Sequence, residues 1–232
     1  MRIAKMHPML TAAYTLLLGV LLFYCNYLVF LVVPNERIMG PVQRIFYFHV
    51  GAATACYVSI AILFLGSVMY LATSGRKSDT LAHAAAEVAL LLCSIVLVSG
   101  MIWGKSAWNV WFSWEPRLVS FLLLWLLLLA YNVLRSFADS EQVATHSAVI
   151  GILSAINVPI VIYSIKLLPT ISQLHPQVVE KQGLKDPLFI STMFYCMAGI
   201  ILLQFLLIFM RYRIGLLEQD IAFNGEKNDS NT

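Results

Sequence analysis

The chain has 232 residues, of which 60% are hydrophobic and only 12% are charged, and its formal net charge is +3. A soluble globular protein carries roughly 45–50% apolar and about 25% charged residues. The composition, with a mean hydropathy of +0.81, therefore excludes a mainly water-facing surface and predicts an integral membrane protein surrounded by a lipid bilayer. The small net charge says little about partners, and we expect no nucleic acid among them.

Six apolar segments are long enough to cross a bilayer, which takes about 20 residues in a helix. They lie near 9–33, 45–72, 84–103, 117–135, 147–168 and 189–210. In hydrocarbon only helices and closed barrels satisfy their own backbone groups, and no segment alternates as a barrel strand would. We predict an all-α protein with six transmembrane helices in one domain, residues 1–217, and a polar, disordered tail, residues 218–232.

The first segment, Met9 to Val33, is too long for the apolar part of a signal peptide, so we expect a retained helix. Six crossings then place both termini on one side of the membrane. The connections 34–44, 104–116 and 169–188 share the opposite side. The basic "SGRKSD" loop and the "RYR" after the last helix favour cytoplasmic termini.

The histidines separate by side in this topology. His49, early in the second helix, and His175, in the last outer loop, lie on the outer side, whereas His83 and His146 begin helices on the inner side. A lone histidine near the membrane can simply bond a neighbouring helix, but two on one face beside an aromatic loop favour a functional site.

Several chemistries have no signature in the sequence. The cysteines lie inside apolar spans with no C-x-x-C pair, so we interpret Cys25, Cys56, Cys93 and Cys196 as core residues and not as zinc or redox ligands. The sequence contains neither C-x-x-C-H for covalent haem attachment nor a phosphate-binding G-x-x-x-x-G-K-[ST] loop.

The segment "WGKSAWNVWFSWEPRL", residues 103–118, holds four of the five tryptophans. An interfacial aromatic belt would explain one or two of them. Trp108, Trp111 and Trp114 are three apart, so a short helix lying flat at the interface would turn all three to one side, towards lipid or a flat apolar ligand. Pro116 suits the first turn of the following helix.

An aromatic surface, cations and two imidazoles together suit haem. Porphyrin needs apolar, stackable surface, and its propionates need donors such as arginine. Its iron needs axial ligands, for which imidazole is common. The residues alone make haem a plausible ligand without singling it out.

The aromatic segment resembles the tryptophan-rich "WWD" signature of haem-handling proteins in cytochrome c maturation. The matching residues are Trp103, Gly104, Trp108, Trp111, Trp114, Glu115, Arg117 and Leu118. Size and layout are similar to the CcmC family, and "RIFYFHV" (Arg44 to Val50) and "QLHP" (Gln173 to Pro176) resemble its two histidine-bearing segments. Departures are Glu115 for the usual aspartate, Val119 for threonine, Pro116 for a small residue and "LHP" for "LHQ".

The resemblance implies that His49 and His175 are axial iron ligands of a non-covalent b-type haem. The tryptophans Trp103, Trp108, Trp111 and Trp114 would form a platform, beside Gly104. Arg117, with Arg44 as a second candidate, would meet the propionates. Glu115 would orient the loop or a partner; a local Glu115–Arg117 salt bridge is the simpler alternative.

The implied function is transport, not enzymatic catalysis. The chain would hold haem at the periplasmic face of a bacterial or organellar inner membrane and pass it to a periplasmic haem chaperone of the CcmE type. ATP hydrolysis would belong to ABC transporter subunits of the CcmA and CcmB type, with a small membrane protein of the CcmD type as a further partner.

Two other functions fit the same residues. In a membrane b-type cytochrome-like electron carrier, His49 with His175 and His83 with His146 would each hold one haem, near opposite faces. In a transporter or channel subunit the tryptophans would be belt residues only, although the sequence shows no clear internal repeat.

Overall fold

The computed structural model describes residues 8–37, 39–137, 140–167 and 186–229. Within these ranges the regular structure consists of six long α-helices and two short helical turns. The helices are α1 (Pro8–Tyr27), α2 (Arg44–Thr73), α3 (Arg76–Trp108), α4 (Pro116–Phe137), α5 (Glu141–Leu167) and α6 (Pro187–Asp229). All six are long and apolar enough to cross a membrane, which confirms the predicted fold class.

Helices α2 and α3 form a tight antiparallel hairpin. Ser74 ends α2 in the left-handed conformation (φ 50°) and donates its backbone N–H to the Tyr70 carbonyl, and α3 begins two residues later. Farther along, Gly66 of α2 lies so close to Ala82 of α3 that a Cβ at position 66 would be 3.0 Å from it. Small residues allow such close backbone approach, which is how helices commonly pack within a bilayer.

The core lies where α2 packs against α3, α5 and α6, and where α4 packs against α3 and α5. Fully buried members include Cys56, Leu63, Ala85, Cys93 and Leu128. All four cysteines are buried, unpaired residues, which confirms their interpretation as core residues. Large apolar side chains such as Phe23 and Leu16 point outward and are exposed, as expected where lipid covers the surface.

Polar pairs extend the helices beyond the predicted apolar segments at the end of the bundle that holds the α2–α3 turn. Asp79, in the first turn of α3, accepts two hydrogen bonds from Arg135 near the end of α4, at 3.2 and 2.9 Å. Because both charged groups are paired, α3 continues as a helix eight residues before its predicted start near 84.

Helix α6 likewise continues to Asp229, into the segment predicted to be a disordered tail. Gln219 donates to Thr80 Oγ1 at 2.9 Å, and Glu218 lies 3.3 Å from the Arg211 guanidinium. The first contact joins the polar turns of α6 to α3, and the second lies within α6. The division into a membrane domain and a separate tail remains a prediction.

Candidate functional site

His49 lies in α2, slightly more than one turn after its start, and is half-buried against α3. Its Nδ1 is 2.9 Å from the Ser99 hydroxyl oxygen. A Cβ at Gly100 would lie 3.2 Å from His49 Cε1, so this glycine leaves room for the ring to approach the helix. The other predicted iron ligand, His175, lies outside the described residues.

The register of the α2–α3 pair relates His49 to the tryptophan segment. Two contacts fix this register: His49 is next to Ser99, and Gly66 is next to Ala82. Moving one residue back along α2 therefore corresponds to moving one residue forward along α3. Arg44, five residues before His49, is therefore level with Gly104, five residues after Ser99. One end of the helix pair brings together the histidine, the arginine and the start of the tryptophan segment.

The connection after α3 is not the interfacial helix predicted from the tryptophan spacing. Helix α3 continues to Trp108 and ends at Asn109, which takes the left-handed conformation (φ 59°) and donates its N–H to the Lys105 carbonyl. Lys105 Nζ in turn donates to Asn109 Oδ1 at 2.7 Å, and residues 109–115 are not helical. The left-handed cap reverses the chain direction and stops the helix before Trp111.

Gly104 allows the connection to fold back over the end of α3. It is buried, and a Cβ there would lie only 3.1 Å from the Val110 carbonyl oxygen. A larger residue would push the connection away from the helix. Gly104 therefore has a physical role, which is to let the following loop pack closely against α3.

The four tryptophans divide into two pairs instead of forming one stripe. Trp103 and Trp108 are half-buried and contact each other edge to face, with ring centroids 4.8 Å apart. Trp111 and Trp114 are 55% and 80% exposed. Trp114 makes an edge-to-face contact with Phe112 at 5.2 Å. The two exposed indoles are available to lipid, a ligand or a partner protein.

Glu115 and Pro116 begin α4 as predicted. The Glu115 carbonyl accepts the Val119 N–H at 3.0 Å, and Pro116 occupies the first helical position, where its missing N–H has no helical partner to lose. The Glu115 side chain is only 5% exposed. The carboxyl group is therefore held inside the protein. A role in orienting the loop stays a prediction.

Arg117 contacts the end of α5. Its Nε donates to the Val161 carbonyl at 3.4 Å and its Nη2 to the Ile162 carbonyl at 3.0 Å. Both carbonyls lie in the part of α5 just before its last turn, which ends at Leu167. In this conformation Arg117 joins α4 to α5, a structural role that sequence analysis did not predict.

Three buried side-chain donors in this region have no hydrogen-bond partner among the described residues. They are Arg44 Nε, the indole Nε1 of Trp103 and the Ser113 hydroxyl. An unsatisfied buried donor costs about 1–3 kcal/mol, so such groups commonly meet a ligand or water. An acceptor oxygen, such as that of a carboxylate, is the kind of group that would satisfy any of these donors.

The inner-side histidines do not share a site. His83 lies 3.3 Å from Glu87 and lines an open polar cavity of about 790 Å³ with Asp79 and Arg135. His146 is exposed on α5, and its Nδ1 is 2.7 Å from the Gln142 carbonyl of its own helix. It is not among the described residues that line this cavity, so the geometry does not favour a second bis-histidine haem there.

Ser99 and Gly100 are the site residues that sequence analysis missed. Gly100 lies one helical turn before Gly104, a spacing that indicates close approach on one face of α3. Ser99 carries no comparable signal, because serines in apolar helices usually bond their own backbone, as Ser94 also does. Its contact with His49 depends on the register of two helices.

The match to a family model covers residues 1–225, and the family is CcmC, Heme exporter protein C. The chain belongs to the CcmC family. The Heme exporter protein C of Escherichia coli strain K12 is 32% identical over 185 residues, covering 78% of this chain and 73% of that relative. The Bradyrhizobium diazoefficiens protein of the same name is 28% identical over 181 residues, covering 78% and 66%.

A third relative, Heme exporter protein C of Rhodobacter capsulatus, is 31% identical over 115 residues, covering half of this chain and 48% of that protein. The aligned regions thus span between about half and three quarters of these relatives' lengths. Family membership confirms the resemblance carried by the tryptophan segment.

Proposed function

We propose that this chain binds haem at the outer end of the α2–α3 pair and delivers it for cytochrome c maturation, as a component of a haem export complex. The observation that carries the proposal is His49, held by Ser99 at the end of the helix pair from which the tryptophan segment extends. The name of the family and of its relatives, heme exporter, supports haem as the ligand.

In the proposed complex the haem is cargo. His49 supplies one axial imidazole, and His175, from the connection between α5 and α6, supplies the other. Ligands from two different segments of the chain would allow capture and release, because loss of either one would leave the iron open to a new ligand.

The tryptophans have two roles in this proposal. The exposed Trp111 and Trp114 form the apolar surface that the porphyrin or the receiving protein contacts first. The half-buried Trp103 and Trp108 support the loop from behind, and Trp103 Nε1 faces a ligand acceptor. Gly104 keeps the loop close to α3.

Arg44 is the arginine we propose as the principal propionate partner. Its Nε is buried without a hydrogen-bond partner among the described residues, whereas Arg117 already donates to two α5 carbonyls. A guanidinium pairs well with a carboxylate because two parallel N–H donors match its two oxygens. Arg117 would reach a propionate only by leaving α5.

The partners and location follow from the same proposal. Haem passes to a periplasmic chaperone of the CcmE type, and subunits of the CcmA, CcmB and CcmD type complete the complex. The site faces the periplasm and the termini lie in the cytoplasm, in keeping with Arg76 and Lys77 after α2 and with Arg211 and Arg213 in the later turns of α6. The chain itself performs no catalysis.

The test is the visible spectrum and pyridine haemochrome of the purified protein from haem-replete cells. We expect one b-type haem per chain with a low-spin spectrum, which His49→Ala abolishes. Two haems per chain would instead favour the electron carrier. A colourless, monodisperse preparation would refute the proposal.

A further inference from the structure

We infer that Ser99 is a positioning residue for His49: its hydroxyl oxygen accepts the imidazole Nδ1–H and so presents Nε2, unprotonated, to a ligand metal. The inference deepens the proposed function and rests on it. Three atoms carry it, namely His49 Nδ1, Ser99 Oγ and the Ile95 carbonyl oxygen of α3.

The direction of the hydrogen bond follows from counting protons. Ser99 Oγ lies 2.6 Å from the Ile95 carbonyl and 2.9 Å from His49 Nδ1. A hydroxyl has one proton, and the carbonyl oxygen can only accept, so the serine proton is donated to Ile95. The hydroxyl lone pairs then face the ring, and the imidazole nitrogen must be the donor.

The consequence is a fixed tautomer. A neutral imidazole carries one N–H, so a proton on Nδ1 leaves a lone pair on Nε2. This is the form that binds iron or another metal. Metal-binding histidines usually donate their other N–H to a fixed acceptor, which sets ring orientation and strengthens the ligand.

Gly100 leaves room for the ring to reach Ser99, because it carries no Cβ beside Cε1. A Cβ at Gly100 would be 3.2 Å from Cε1, too close for the ring to stay in place without shifting. The orientation of Nε2 is therefore set by the contact with Ser99 and depends on a glycine at position 100.

The experiment compares substitutions at position 99 of the full chain in detergent. Ser99→Thr keeps the hydroxyl, Ser99→Val has nearly the same shape without it, and Ser99→Ala removes it without adding bulk. Ser136→Ala is the matched control, because Ser136 also donates to a carbonyl of its own helix, that of Val133 at 2.7 Å, but is exposed on α4 outside the tryptophan segment. His49→Ala tests the proposed ligand itself.

Haemin is titrated into each variant, and the reduction midpoint and low-spin electron paramagnetic resonance signal are recorded. Loss of such a supporting bond typically costs 10–100-fold in metal affinity. We expect that loss in the valine and alanine variants, with a raised reduction midpoint because the imidazole becomes a weaker donor to ferric iron. The threonine and control variants should resemble the parent.

The outcomes separate the inference from the function on which it rests. If His49→Ala loses haem while alanine and valine at position 99 leave affinity and midpoint unchanged, the role of Ser99 is refuted and the proposed function stands. If threonine weakens haem as much as valine and no midpoint moves, Ser99 is only a packing residue. If His49→Ala keeps haem and its low-spin signal, the proposed ligand is wrong and both proposals fail.

Discussion

The ion pair between Asp79 and Arg135 should contribute strongly to stability and little to haem binding. The two side chains are 12% and 4% exposed and form two hydrogen bonds, at 3.2 and 2.9 Å. Unit charges about 4 Å apart attract by about 4 kcal/mol at an effective dielectric constant of about 20. Removing one partner of a buried pair costs about 3–5 kcal/mol, because the other charge is left uncompensated.

The neighbouring cavity places the expected loss of unfolding free energy near the lower end of this range. Both residues line the open polar cavity of about 790 Å³, from which water can solvate the remaining charge. We therefore expect Asp79→Asn and Arg135→Gln each to lower the free energy of unfolding by about 3 kcal/mol. That loss is about 150-fold in the folding equilibrium constant.

The assay is equilibrium unfolding in mixed detergent and dodecyl sulfate micelles, followed by tryptophan fluorescence. The double variant should lose well under 6 kcal/mol, since the second substitution removes a charge that is already unpaired. Glu141→Gln, an exposed acid lining the same cavity, is the control and should change stability by less than about 1 kcal/mol. Single losses that add to within about 0.5 kcal/mol would show that the pair does not act as a unit. Haem content per folded chain should stay at the parent level.

Three further predictions concern packing, the aromatic loop and the inner histidines. Gly151→Val should lower the free energy of unfolding by about 1–3 kcal/mol, because a Cβ there would lie 2.7 Å from Ser67 Oγ of α2. An unchanged free energy of unfolding in the same micelles would contradict this packing. Trp114→Ala should leave unfolding unchanged but weaken haem capture and co-purification of the chaperone, and identical haem titrations for parent and Trp114→Ala would reduce that indole to a belt residue. Trp108→Ala should also lower stability, because it removes the edge-to-face contact with Trp103 at the end of α3. His83→Ala and His146→Ala should keep the haem spectrum, and loss of the spectrum in either variant would support the two-haem electron carrier.

The sequence by itself determined the six helices and the start of α4. Long apolar runs can satisfy their backbone groups in hydrocarbon only as helices, so composition and length were sufficient. Pro116 was equally predictive, because its ring suits the first helical turn and no later one. The tryptophan segment also identified the family, since the residue types themselves form the signature.

The conformation of that segment was decided by tertiary packing. Spacing of three favoured a helix through Trp111 and Trp114, yet Asn109 caps α3 and the Val110 carbonyl packs over Gly104. These contacts depend on how the chain returns to α4, which local periodicity does not encode. For the same reason the spacing could not show that Trp103 would be half-buried and Trp114 exposed.

Contacts between helices could not be predicted from the sequence either. Ser99 meets His49 only because the tight turn at Ser74 sets the register of α2 against α3 over their whole length. Arg117, expected at a propionate, donates to α5 because two carbonyls near the end of that helix lie within its reach. Each residue type was visible along the chain, but the partner that fixes its chemistry comes from a different helix, and only the packed bundle brings the two together.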